Sequence, residues 1–389
     1  MEPDPGHAGA GSVIMTTESR KQARVAVVGG GVIGLAVAWR AAVAGHAVTL
    51  FDPEPAAGAS WVAGGMLAPV AEAWPGEEAV LELGEESLAQ WPQFADELTT
   101  DGADPVMNTA GTIIAAWDPG DAAQLEVLAD YLRRVGRGAE LVHGHELRKR
   151  VPGLTSRLRA GLVVPGDLAV DNRRLLKALL LAGERRGVDY RREWVEAVGP
   201  GTVRTESGEF DCDEVVLAAG ARTGALHDEL RGLVRPLKGE ILRLRARRTS
   251  LPPPPMTVRA VVENRPLYLV PRSDGEVVVG ATQYEAGFDE TVAAGGVREL
   301  LDAAERVYPS VAEYELAETA AGLRSASTDN LPLIGRLSDG VIVATGHYRN
   351  GLLHAPVTAR AVVALLDGGE LPGAARAADP ARVEKEASV

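Results

Sequence analysis

An α/β fold is predicted by three features near the start of the chain: an apolar β-branched run, a glycine turn that opens a helical run, and a second strand ending on an acid. Residues 24–28 read RVAVV, the composition of a strand buried on both faces of a parallel sheet. Gly29-Gly30-Gly31-Val32-Ile33-Gly34 follows, then LAVAWRAAVAG, then AVTLF and Asp52. Each part has a physical task. Gly29 permits the tight turn, Gly31 lets the backbone approach a pyrophosphate, and Gly34 allows the helix to pack closely on the strand. The helix N-terminus, entered through Val32 and Ile33, faces the phosphate charge. Asp52 stands where a carboxylate accepts hydrogen bonds from ribose hydroxyls, which favours an adenosine without a 2′-phosphate. At this point FAD and NAD remain equal candidates for a dinucleotide site.

Bulk properties narrow the class. A length of 389 residues exceeds one ordinary core and implies two or three folded units. Hydrophobic residues at 46% and charged residues at 24% are ordinary for a folded enzyme. A net charge of −14 argues against nucleic acid or an anionic membrane as partner. Residues 1–21 are small and polar and read as a disordered tail rather than a secretory signal, with Met15 an alternative start. No apolar run is long enough to predict a transmembrane helix, so the cytoplasm is the expected compartment. Cys212 is the single cysteine, which excludes an intramolecular disulfide and a thiolate cluster. No His, Asp or Glu cluster has ligand spacing, and no metal is expected.

Residues 58–69, GASWVAGGMLAP, are too glycine-rich to read as an amphipathic helix or an ordinary strand. Backbone amides in such a stretch form anion nests or lie flat against a ring system. With this segment the chain resembles the D-amino acid oxidase family of FAD-dependent oxidoreductases, most closely the glycine oxidases of thiamin biosynthesis. Three further matches follow in order: EVVLAAGARTG at 214–224, ETAAGLRSASTDNLPLIG at 318–335 and VIVATGHYRNGLL at 341–353. The resemblance spans residues 24–367. One departure is visible, because Ala221-Arg222 stands where the family often has Trp.

The resemblance selects FAD over NAD. It implies a Rossmann-like FAD-binding domain with an inserted α+β substrate domain built on an antiparallel sheet. The FAD domain would be discontinuous, over 22–98, 154–235 and 319–367; the substrate domain would take 99–153 and 236–318; residues 368–389 follow as a C-terminal tail, which from Pro372 to Val389 is polar and reads as frayed. Asp171 is the expected N-cap of the helical run from residue 172. DYRREWVEAV is expected to continue as a strand, on which Val195 covers the adenine through its backbone. KGEILRLRAR, PLYLVPR and EVVVGATQY read as strands, residues 291–308 as an amphipathic helix, and LPPPPM as a stiff loop.

Oxidising an amino acid requires its carboxylate to be held while the α-hydrogen leaves as hydride to the flavin. A guanidinium fork does this best, and the resemblance gives that role to Arg324. It makes the Tyr268 hydroxyl a second hydrogen bond, puts Gln283 in the small substrate pocket where the family more often has Met, and sets Arg349 near the entrance. Ser60, Ala63, Gly64, Gly65 and Met66 would run past the pyrophosphate and beneath the isoalloxazine, and Ala219 and Gly220 would close over the dinucleotide. Gly346, His347, Tyr348, Arg349, Asn350, Gly351 and Leu352 would direct a helix N-terminus at the flavin N1–C2 edge. No residue, His347 included, is assigned as acid or base. Ser325, Ala326 and Ser327 offer no thiol where sarcosine oxidases attach their flavin, so FAD is expected to be non-covalent.

The implied activity is oxidative deamination of glycine or another small primary or secondary amino acid, with dioxygen reduced to hydrogen peroxide. The imine would serve thiazole synthesis, through hand-off to a thiazole synthase; the family is often homo-oligomeric. Two alternatives stay open: a D-amino acid dehydrogenase or oxidase or a sarcosine-type oxidase, and a non-catalytic FAD-binding subunit of a heteromeric oxidase.

Overall fold

A computed structural model describes residues 22–383 apart from 264. The expected tail at 1–21, with Met15, and residues 384–389 lie outside the described residues. The glycine-turn unit folds as the sequence predicts: strand Arg24–Val28, helix Val32–Val43, strand Ala47–Phe51. Arg24–Val28 lies between Ala47–Phe51 and Glu214–Leu217, parallel to both. Asp189–Arg191 extends one edge of this six-stranded sheet in parallel; Ile342–Thr345 and then the antiparallel Leu333–Arg336 extend the other. Side chains alternate between the faces, so Val25 and Val27 enter one core while Ala26 and Val28 enter another. The first core is filled by the helices Val32–Val43, Asn172–Arg185 and Gly351–Leu366, and the second is covered by a three-stranded meander starting at Val195. Asp171 caps its helix as expected, accepting from the N–H groups of Arg173 and Arg174 at 3.1 Å each.

The strand expected through 189–198 is divided. Asp189–Arg191 ends in the six-stranded sheet, and Val195–Gly199 opens the meander. Residues 58–69 hold more regular structure than expected. Gly58–Val62 makes a short helix, and Met66–Leu67 pairs with Leu168–Val170. The reason is long-range: the buried Asn172 amide donates to the carbonyls of Ser60 and Trp61, which a short helix leaves unpaired.

An eight-stranded sheet packs beside the first, running from Glu315–Ala326 and Arg235–Arg245 at one edge to Ala160–Val164 and Glu140–His143 at the other. Its ladders are antiparallel except for Thr112–Ala116 on Thr257–Val262, which is parallel. The sheet is therefore mixed rather than antiparallel throughout. No hairpin joins those two strands, so no tight turn imposes antiparallel order. Helix Ala294–Val307 covers one face, and helix Pro119–Arg134, opened by an Asp118/Asp121 capping box, covers the other. The strand expected at EVVVGATQY stops at Gly280. The C-terminal segment is not frayed as far as it is described: Leu371, Ala375 and Ala378 are buried, and Arg382 pairs with Asp329 at 2.9 Å. No described helix is long and apolar enough to cross a membrane.

Candidate active site

The strand ends of the six-stranded sheet open into a cleft of about 620 Å³, lined by Gly29, Gly31, Asp52, Ser60, Val195, Ala219 and Gly220 among others. Its walls fit a dinucleotide. Gly29 has a left-handed φ of +110°, and a Cβ there would lie 2.4 Å from the Ala218 carbonyl oxygen. At Gly34 a Cβ would meet the Gly29 oxygen at 1.8 Å, so helix and turn can touch only without side chains. Asp52 accepts from the N–H of Gly30 at 2.6 Å and of Glu54 at 2.8 Å. About half of the acceptor capacity of its carboxylate stays available on the cleft side. Val32 and Ile33 are buried, and the Val32 N–H is taken by Ser60 Oγ at 3.0 Å. Ser60 thus caps the glycine-turn helix, whose own N-cap is a glycine with no side chain to do so.

A second group gathers where the two sheets meet. Arg324 lies on Glu315–Ala326, and its Nη1 donates to the Thr282 carbonyl at 3.2 Å. Tyr268 lies on Arg265–Pro271, with Leu269 turned to the opposite core. The ring packs on the backbone of Gly64, where a Cβ would lie 2.7 Å from Cε2. Burial pushes the Tyr268 hydroxyl above its ordinary pKa, with the Arg324 guanidinium pulling the other way. The hydroxyl therefore stays protonated near neutral pH and can donate. Gly65 is also obligatory, because at φ +86° a Cβ would meet the Val170 oxygen at 2.1 Å.

The turn after Ile342–Thr345 supplies the third side. Gly346 N–H donates to Ser325 Oγ at 3.1 Å, and Tyr348 N–H to the Ser325 carbonyl at 2.7 Å. Tyr348 has a left-handed φ of +48°, and its hydroxyl donates to Gln283 Oε1 at 2.8 Å. Gln283 itself is exposed, at the rim of this group. Arg349 lies over the Tyr348 ring, with Cζ 5.0 Å from the centroid, and 4.0 Å from Glu72 Oε2. His347 is buried, with Nε2 3.0 Å from Thr358 Oγ1, and burial with the neighbouring His354 ring holds its pKa well below the ordinary value. It is neutral and tied to Thr358 of the helix that follows the turn. Asn350 ends the turn and Gly351–Leu366 begins as a helix, with Leu352 buried.

Several supporting residues escape sequence reasoning. A Cβ at Gly239 would lie 2.1 Å from Arg324 Nη1, and one at Gly280 would lie 2.2 Å from the Tyr268 hydroxyl. Both glycines make room for the two side chains. Asn172 Oδ1 accepts from Arg272 at 3.0 Å and from Arg243 at 3.2 Å, and Arg272 also donates to the Gly64 carbonyl at 2.8 Å. Burial lowers the pKa of Arg272 to about 10, so it remains a cation at neutral pH. Glu72 pairs with Arg259 at 3.3 Å beside Arg349. A glycine within an alternating strand, as Gly239 is, is the one signal that marks such a close approach in a sequence. Cys212 is buried in the core beneath the meander, away from residues 325–327, and burial raises its pKa to about 11.

The FAD dependent oxidoreductase (DAO) family matches residues 24–365. The chain is 33% identical to glycine oxidase of Pseudomonas aeruginosa, covering 89% of this chain and 95% of that one. It is 31% identical to the bifunctional protein ThiO/ThiG of Trichormus variabilis, where it spans 51% of the relative's length. The crystal structure of glycine oxidase from Geobacillus kaustophilus superposes with a TM-score of 0.87 at 30% identity, covering 93% of this chain and 99% of that one. With the glycine-turn cleft, the neighbouring Arg324–Tyr268 group and this match over nearly its whole length, the chain belongs to the FAD dependent oxidoreductase (DAO) family.

Proposed function

We propose that the protein is an FAD-dependent amino acid oxidase acting on glycine or another small primary or secondary amino acid. The observation that carries this reading is the convergence of Arg324, Tyr268 and the Gly64 backbone, with Gly239 and Gly280 clearing space for both side chains. FAD bound in the cleft would accept hydride from the substrate α-carbon and pass the electrons to dioxygen, giving hydrogen peroxide. Arg324 holds the substrate carboxylate through its guanidinium fork, and the protonated Tyr268 hydroxyl donates to the same group. Gln283 and Tyr348 close the rim over Arg324, and Arg349 flanks the entrance. His347, neutral and bonded to Thr358 of the helix that follows, steadies the turn and moves no proton. The helix starting at Gly351 directs its amides at the edge of the flavin where negative charge develops. Residues 325–327 carry no thiol, so FAD is held without a covalent bond.

The two-part division of the chain follows from the same reading, with the six-stranded sheet serving the cofactor and the eight-stranded sheet serving the substrate. The imine product is handed to a thiazole synthase, which relatives joining ThiO and ThiG in one chain support. The deciding experiment is anaerobic reduction of the bound flavin by glycine, sarcosine, D-alanine and D-proline in turn. Rapid bleaching by glycine, with recovery and peroxide on admitting air, is expected. Bleaching only by the larger D-amino acids moves the substrate class, and no bleaching by any of the four rejects the role of Arg324.

A further inference from the structure

Three side chains from separate segments stack across the mouth of the cofactor cleft. The Arg222 guanidinium carbon lies 5.1 Å from the Trp194 ring centroid and 5.0 Å from that of Phe288. All three residues line the cleft. Trp194 is 44% exposed and Phe288 50%, so core packing does not account for either ring. Trp194 sits where the chain crosses from the six-stranded sheet to the meander, and Arg222 in the turn after Glu214–Leu217. Phe288 comes from the loop that leaves the eight-stranded sheet after Gly280. The stack therefore joins the two sides of the cleft.

Charge gives this stack a second meaning. Among the described residues lining the cleft, Asp52, Glu54, Glu193, Glu196 and Glu290 are acidic, and Arg222 is the only arginine or lysine. A dinucleotide brings a doubly charged pyrophosphate into that setting. Backbone amides and the helix N-terminus supply partial charges, while a full positive charge comes from Arg222 alone among these residues. A guanidinium held between two ring faces keeps its N–H edge free, and that edge is what binds phosphate oxygens.

We propose that Arg222 binds the pyrophosphate of the cofactor, and that Trp194, Arg222 and Phe288 form a latch that slows its release. The proposal rests on the cofactor class and not on the amino acid substrate. Its test follows the fluorescence of free FAD after dilution of the full-chain holoenzyme, at low and at high potassium chloride, with no substrate present. The wild-type rate should rise with salt, because salt screens the guanidinium–phosphate attraction. Arg222→Gln should release FAD about tenfold faster at low salt, as loss of one charge-assisted hydrogen bond implies, and its rate should lose most of the salt dependence. Arg222→Lys should keep the salt dependence. Phe288→Ser, which removes a ring and no charge, should release faster with the salt dependence intact. Wild-type release by Arg222→Gln, or an unchanged salt slope, overturns the phosphate assignment; wild-type release by Phe288→Ser overturns the latch. Failure of the amino acid oxidase reading leaves every one of these rates unaffected.

Discussion

Arg324 and Tyr268 each occupy space that exists only because a neighbouring residue is glycine, and that dependence yields two tests of the substrate site. Arg324→Lys keeps the charge and loses the planar fork. Since a charge-assisted hydrogen bond contributes about 1.5–3 kcal/mol, kcat/KM for glycine should fall roughly 10- to 100-fold, mostly through KM. Peroxide-coupled initial rates measure it, and an unchanged KM removes Arg324 from carboxylate binding. Gly239→Ala puts a methyl 2.1 Å from Arg324 Nη1 without touching any substrate. The guanidinium must then swing away, so this variant should show the same KM defect of about tenfold while its flavin content stays normal. A Gly239→Ala enzyme with ordinary KM would mean that the guanidinium does not need its present position. Gly239 hints at a close approach only by standing as a glycine in an alternating strand, and the pairing of Leu237 with Arg324 and of Gly239 with Gly322 shows which side chain it makes room for.

At the scale of elements, the segment after Pro69 rests on a buried acid. Asp167, fully buried in the turn after Ala160–Val164, accepts from Ala71 N–H at 3.3 Å, and its Oδ1 has no partner among the described residues. Burial raises its pKa from 3.8 to about 7, opposed by the Ala71 N–H and by Arg259. The folded chain thus binds more protons than the unfolded chain between pH 4 and pH 7, and stability falls as pH rises through that window. Asp167→Asn accepts from the same N–H and cannot ionise. It should flatten this part of the pH profile and be more stable at pH 8, by at most about 4 kcal/mol. Urea midpoints at pH 4, 6 and 8 decide it; a profile parallel to the parent's would show that Asp167 ionises freely. The elements that could be read from sequence are those whose cause is local. The glycine turn, the Asp171 cap and the strand at KGEILRLRAR carry their reasons within a few residues. The parallel pairing of Thr112–Ala116 with Thr257–Val262, and the helical turn at Gly58–Val62, are set by partners more than a hundred residues away.

For the whole molecule, the Asn172 side chain ties the segment beside the glycine turn to the eight-stranded sheet. Asn172 lies at the start of the Asn172–Arg185 helix with no solvent exposure. Its amide donates to Ser60 and Trp61 beside the glycine turn, while its oxygen accepts from Arg243 and Arg272 of the eight-stranded side. Removing it leaves the Ser60 carbonyl without its side-chain donor, the Trp61 carbonyl with only the longer bond from Arg173 at 3.4 Å, and two buried guanidiniums short of an acceptor, so Asn172→Ala should cost about 3 kcal/mol. It should also weaken FAD binding, because Ser60 loses the anchor that holds its hydroxyl on the Val32 N–H. The two links can be separated. Asn172→Asp keeps an acceptor for both guanidiniums and loses the donor to residues 60 and 61. Chemical denaturation and FAD titration of the same preparations should therefore diverge: Asn172→Asp should retain most of the stability lost in Asn172→Ala, yet bind FAD as weakly. If Asn172→Asp binds FAD as the parent does, the donor side of the junction is idle, and the segment at residues 58–67 is positioned by its other contacts, among them Gly64–Arg272, Trp61–Arg173 and Met66–Ala169.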